Sequence, residues 1–427
     1  MSISTLTKKL DVFVKQDLLG NDTNTAAFLN RGNRGWTEPS MRVLKSLFDI
    51  LSKADNSWKG LNVAIHEIAH VSPLSGSDVS SYIPEPIRHG IIQNLKTHRI
   101  FQFKVGKRTI RIHIIYSEMH QRLSKSVILG MVRQMYLWLS ITFHYASTYC
   151  ASVLDVYIYL TDNIKQLPSS QLSVIDREHV NTAFTTSCKP SIDIHIFRKE
   201  EWFKVFIHET FHCFGLDFSG MDESAEMGDN VIKRHFGLKP GIDLRIYETY
   251  TETWANIMHT FIHGFLQSKT HIWENVFRSF VKSLKFEQAF SIFQCCKVLS
   301  HNKMSYRNVC ARSMGAYNEN SHVFSYYILK SALLFHADTF INWCIAHNDH
   351  VRRVSMNGVA TSRGPLAFKQ TSQNINGFSR LLVEVSCQTD YVSAVSEIER
   401  RFLYHKRLTK DRGLKEIMDT LRMTMYG

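Results

Sequence analysis

The strongest constraint on this chain is one short stretch, Val205-Phe206-Ile207-His208-Glu209-Thr210-Phe211-His212-Cys213-Phe214-Gly215. Its apolar letters belong in a core, yet it carries two imidazoles and a carboxylate. Such groups are costly to bury without partners. A helical reading resolves the conflict. His208 and His212 stand four apart and share one helix face, one turn from each other. Two neutral imidazoles so placed can hold one metal ion. Glu209 then lies beside that ion and can take a proton from water, which is the machinery of a zinc-dependent peptidase. Gly215 supplies a natural stop.

The same pattern occurs a second time, at His66-Glu67-Ile68-Ala69-His70. Histidine is abundant, 21 of 427 residues, so chance matches arise easily. Context separates the two. Ser72-Pro73 cuts the second stretch short, and a Ser/Gly/Pro-rich loop follows through Pro86. The nearest further ligands, Glu85 and His89, sit on no recognisable ligand helix at a familiar spacing from the motif. This stretch is expected to form a short, partly exposed helix without metal.

The first stretch has a recognisable setting. Phe101 to Val105 and Arg108 to Tyr116 alternate in polarity around Gly106-Lys107, as a β-hairpin does. A long helix is expected over about 119–149, then a strand from Val153 to Leu160. A loop containing Asn181 to Thr185 precedes an alternating strand, Ser191 to Phe197, and the metal helix begins near Lys199. Beyond Gly215, a polar connector leads to a helix over about 247–265. Tyr250, Trp254, Ile257, Phe261 and Phe265 form its apolar stripe, while Glu248, Glu252, Asn256 and His263 share the other face. Residues 270–345 read as helical. A polar stretch at 346–377, with Arg352, Arg353 and Gly364-Pro365, reads as a lid or a connector. Tyr391 to Arg422 reads as a basic helix or helix pair.

This order of elements, with the His208 motif, resembles the zincin metallopeptidases over residues 101–265. The resemblance implies an α+β fold: a twisted mixed sheet, a backing helix and a metal helix, then a helical C-terminal subdomain. It divides the chain into a helical N-terminal region (1–100), a sheet and metal-helix part (101–229) and a C-terminal part (230–427). It implies one zinc ion per chain and a peptide or protein substrate. The strand before the metal helix would be an edge that pairs with extended substrate, so Ile192, Ile194 and Ile196 would line that contact. In the gluzincin branch a glutamate on a second helix is the third ligand, and an acid four residues on orients the first histidine. Glu252-Thr253-Trp254-Ala255-Asn256 is similar to that signature, with Asn256 where Asp is usual. Glu252 is therefore the favoured third ligand. Glu248 is the rival, which would place Glu252 behind the histidine instead. The branch also takes an oxyanion donor from its C-terminal part, for which Tyr326, Tyr327 and His322 are candidates. Each could equally be packing on a core helix. Residues Phe197 to His212 also resemble uncharacterised zinc peptidases of large DNA viruses, which would imply processing of viral or host proteins in an infected cell.

Two other readings stand beside the peptidase: an inactive protein that keeps the fold as an interaction factor, and a nucleic-acid-associated protein. The second rests on a net charge of +13. The basic residues are spread along the chain, without an RNP-type aromatic motif or a zinc ribbon, which weakens it. None of the eight cysteines forms a Cys-x-x-Cys pair, and the N-terminus lacks an apolar signal region. Reduced thiols in an intracellular protein are the expectation. The most apolar long stretch, Val127 to Ser147, contains Arg133 and Gln134 and is expected to be a core helix, not a membrane span.

Overall fold

The hairpin expected around Gly106-Lys107 is the centre of the sheet. In the computed structural model, which describes residues 4–20, 35–69, 81–117, 123–348, 353–354, 360–361, 364–408 and 412–427, β2 (Thr97–Val105) and β3 (Arg108–Tyr116) pair antiparallel and close at Val105 and Arg108. Gly106 takes φ 57°, a left-handed value that lets the two-residue turn follow the strand twist. With β1 (Ala64–Ala69), β4 (Val153–Tyr159), β5 (Ala183–Thr185) and β6 (Ser191–Ile196), the strands form one mixed six-stranded sheet in the order β1-β2-β3-β4-β6-β5. The β3/β4 and β4/β6 pairs are parallel and the others antiparallel. The fold is α+β.

The strands alternate because one face is fully buried. Ile110, Ile112 and Ile114 of β3, Leu154, Val156 and Ile158 of β4, and Ile192, Ile194 and Ile196 of β6 all turn inward. Two helices cover this face: α4 (Lys125–Tyr145) and α5 (Trp202–Cys213). They are tied together by Trp138 Nε1, which donates to Thr210 Oγ1 at 2.6 Å. After a short first helix, α1 (Thr5–Phe13), helix α2 (Glu38–Trp58) packs behind α4 with Leu44, Leu47 and Leu51 buried. On the outer face, α3 (Glu85–Asn94) lays Ile87 and Ile91 against Ile115, Tyr159 and Phe197. Helix α4 is long and apolar enough to cross a membrane, but it lies in the core as the sequence suggests.

The C-terminal half is helical: α6 (Asp222–Phe236), α7 (Ile246–Gln267), α8 (Trp273–His301), a π-helical turn (Phe324–Leu329) continuing into α9 (Lys330–Phe335), then α10 (Ala337–Asn348), α11 (Ser372–Ser386), α12 (Thr389–Arg407) and α13 (Arg412–Asp419). The stretch after α13 runs back inside the molecule, and Leu421 to Met425 are all buried.

The structure departs from the sequence expectations in several places. Ala183 to Thr185 is a strand, not a loop, and it pairs along β6. Strand β6 is therefore internal, and Ile192, Ile194 and Ile196 are core residues instead of substrate contacts. Ala64 to Ala69 is also a strand, not a helix. With β1 and all of β2 (Thr97–Val105) belonging to the sheet, the expected boundary at residue 100 falls inside a strand. Cys150 and Cys188 are joined in a disulfide instead of standing as free thiols. They lead into β4 and β6, and the parallel register that sets Val153 beside Ser191 brings them together. Of the expected lid at 346–377, residues 349–352, 355–359 and 362–363 lie outside the described residues, as does His70, while Leu366, Ala367 and Phe368 are buried.

Candidate metal centre

The site forms where α5 crosses α7. Helix α5 ends in a full Schellman turn, with Gly215 N–H donating to His212 O at 2.9 Å and Leu216 N–H to Phe211 O at 2.8 Å. Gly215 takes φ 60° there, and a Cβ would lie 3.3 Å from Cys188 Cβ. The reversal brings Asp217 back under its own helix, where the carboxylate accepts from His212 Nδ1 and from Thr251 Oγ1. Helix α7 starts where Asp229 of α6 accepts from Ile246 N–H at 2.8 Å. Glu248 and Glu252, one turn apart on α7, both face α5.

Three ligand atoms then converge. His208 Nε2 and His212 Nε2 lie 3.2 Å apart. Glu248 Oε2 lies 3.0 Å from the first and 3.6 Å from the second. Neither contact has hydrogen-bond geometry, so this buried oxygen has no hydrogen-bond partner among the described residues. Orphaned buried oxygens are rare, and one aimed at two imidazole nitrogens suits a cation. Among the described residues, His208, His212 and Glu248 are the group that could hold a metal ion.

Both imidazoles are oriented from behind. His208 Nδ1 donates to Glu252 Oε2 at 2.9 Å, and His212 Nδ1 donates to Asp217. These bonds fix the tautomer that leaves each Nε2 as a lone-pair donor. Burial works against a charged His212, but Asp217 and Glu248 hold its pKa well above the ordinary value. The same pairing holds Glu248 well below the usual carboxylate range despite burial. Glu209 has no hydrogen-bond partner among the described residues. Burial pushes its carboxyl up, and the two imidazoles offset part of that rise.

The two glutamates of α7 thus exchange the places first expected of them. Glu248 meets the imidazole Nε2 atoms, and Glu252 stands behind His208. Asn256 is one turn further on and does not reach His208. Its Nδ2 donates to Met423 O at 3.1 Å. Of the three oxyanion candidates, Tyr326 and Tyr327 in the π-helical turn and His322 just before it, Tyr326 is nearest, its ring 6.1 Å from that of His208. Burial, then Glu248 and Glu252, push its hydroxyl pKa well up. Tyr327 faces away and donates to Leu421 O at 2.6 Å. His322, in a left-handed conformation with φ 53°, lies 6.0 Å from the Tyr326 ring and contacts Asp243 O through Nδ1 at 2.8 Å. Asp217 was not anticipated. The signal for it was an acid two residues past the helix-stopping glycine.

No known family, curated protein or solved structure matches the chain.

Proposed function

We propose that the protein is a zinc-dependent peptidase of the zincin type, with His208, His212 and Glu248 as the metal ligands. One observation carries the reading: two Nε2 atoms and an orphaned carboxylate oxygen converge while both Nδ1 atoms are pinned by carboxylates. Two histidines and one glutamate are a donor set of catalytic zinc, which keeps a fourth position open. Zinc held there would supply Lewis acidity, lowering the pKa of water and polarising a carbonyl oxygen.

The chain's own groups account for the rest. Glu209, adjacent to His208, accepts the proton of the attacking water and passes it to the leaving amine. The buried setting that raises its pKa favours holding that proton between the two steps. Tyr326, whose ring lies 6.1 Å from that of His208, would donate to the developing oxyanion. Strand β5 pairs with no strand but β6 among the described residues, so its outer edge is the one on which an extended peptide would pair.

The test is Glu209→Gln. The variant should bind zinc as the wild type does and lose cleavage of a mixed peptide library by at least about a hundredfold. Cleavage at the wild-type rate would show that Glu209 is not the general base.

A further inference from the structure

The metal ligands are part of a longer ladder. Helix α5 presents Lys204, His208 and His212 at successive steps of four, and α7 presents Glu252 and Glu248 at the same step. The helices interleave these side chains as alternating rungs: Lys204 to Glu252, Glu252 to His208, His208 to Glu248, Glu248 to His212, and His212 to Asp217. The far rung, Lys204, touches no metal ligand in the proposed site. Its ammonium donates to Glu252 Oε1, while Glu252 Oε2 accepts from His208. Both oxygens of a carboxylate that is 1% exposed are therefore in use.

Lys204 is itself 1% exposed and is held in place from behind. Its Nζ lies 3.6 Å from the Met423 thioether. The stretch around Met423 is anchored to the start of α5, where Glu201 Oε1 accepts the N–H groups of Met423 and Thr424 at 2.7 and 2.6 Å. Glu201 takes φ 60° at this point, and its other oxygen lies 2.9 Å from Lys165 Nζ. Met423 O in turn accepts from Asn256 Nδ2 of α7 at 3.1 Å and from Lys330 Nζ of α9 at 3.4 Å. A single buried strand of chain therefore closes the cavity around Lys204 and contacts the helices that carry the site.

Resting on the metal reading above, we propose that Lys204 is a positioning residue for the metal centre: it fixes the Glu252 carboxylate in the rotamer that orients His208. Stability alone gives weak grounds for such a pair. A buried Lys–Glu pair is commonly no better than apolar residues of the same volume, because both charges lose their water. Its place in the ladder gives it a use. Without Lys204, Oε1 would lose its partner in a site closed to water, and the carboxylate would turn toward another donor. His208 would then lose the bond that sets its ring plane.

The test measures zinc affinity by competition with a chelator in four proteins: wild type, Lys204→Met, Glu252→Gln and the double variant. Melting of each metal-free form is followed in parallel. Lys204→Met should weaken zinc by about 10–100-fold, the range for loss of such an orienting partner. Glu252→Gln should do the same. The double variant should bind no more weakly than Glu252→Gln alone, because Lys204 acts only through Glu252. The cobalt-substituted Lys204→Met protein should also show a changed visible spectrum, which loss of packing elsewhere would not produce. Zinc affinity within twofold of wild type in Lys204→Met would overturn the proposal. So would losses that multiply in the double variant. Should Lys204→Met fail to fold, Lys204→Gln, which keeps polar atoms in the cavity but no cation, is read against the same limits. A wild-type protein that binds no zinc would overturn the metal reading and this proposal together. Tight wild-type binding with an unaffected Lys204→Met would overturn this one alone.

Discussion

His208-Glu209-Thr210-Phe211-His212 lies on a helix, and His66-Glu67-Ile68-Ala69 of the same pattern lies on an edge strand. On the helix a step of four is one turn, about 5–6 Å between side-chain bases. On a strand such as Ala64–Ala69 a step of four spans about 13 Å along the chain, and His70 itself lies outside the described residues. The partners differ as well. His208 is buried against Glu248 and Glu252 of a facing helix, whereas His66 is exposed. Glu67 pairs with Arg99 of the next strand, at 2.7 Å, with more than half of its side chain in solvent. The pattern carries chemistry only where the backbone has the right period and a second helix brings carboxylates to both imidazoles.

Substitutions can sharpen that contrast. The largest effect is expected from His208→Ala combined with His212→Ala, which should abolish zinc binding, while His66→Ala should leave one zinc per chain by elemental mass spectrometry. Zinc lost with His66 would reverse the comparison. Within the metal helix the carboxylates should rank. Glu248→Gln removes a ligand and should weaken zinc more than Glu252→Gln or Asp217→Asn, each of which should cost about 10–100-fold. Equal losses at Glu248 and Glu252 would contradict the exchange of places between them.

A pH titration tests the carboxylate setting of the helical pair next. Burial opposes the charged forms, but the surrounding carboxylates hold His208 and His212 above the ordinary histidine value. Because their folded-state values are raised, these groups stabilise the metal-free protein fully below the unfolded pKa near 6.5, and that contribution is lost as pH rises through the raised values. Zinc needs both rings neutral, so its affinity should run the opposite way and rise with pH through neutrality. Calorimetry and chelator competition from pH 6 to 8 would show the opposed slopes, and parallel slopes would exclude this coupling. A smaller effect is expected at the helix stop. Gly215→Ala forces a side chain into a left-handed position beside Cys188, at a cost of about 1–2 kcal/mol in chemical denaturation. Smallest of all, Glu67→Ala should change stability by less than about 0.5 kcal/mol, since its ion pair is exposed.

Much of the fold was legible where a period runs long enough. The hairpin, the alternation of Ser191 to Phe197 and the apolar stripe of α7 all follow from it. Strand β5 was not, because three residues carry no period, and missing it left β6 to be taken for the edge. The second motif misled because a six-residue stretch of mixed polarity fits either period. The choice between Glu248 and Glu252 lay beyond periodicity too. Both are on one face, and only the closeness of α5 to α7 decides which turn meets the imidazole Nε2 atoms. The Cys150–Cys188 pairing follows from the register of β4 and β6, which spacing along the chain does not reveal. Lys204 was visible four residues before His208, but a lysine there has meaning only once Glu252 is known to face it.

The central claim is that two imidazoles and Glu248 hold one ion. Anomalous diffraction at the zinc absorption edge, from crystals of the wild-type protein grown with zinc, tests it most directly. The account predicts one strong peak about 2.0–2.2 Å from His208 Nε2, His212 Nε2 and a Glu248 oxygen. A peak coordinated by Glu252 instead, a peak at His66, or no peak between His208 and His212 would contradict it.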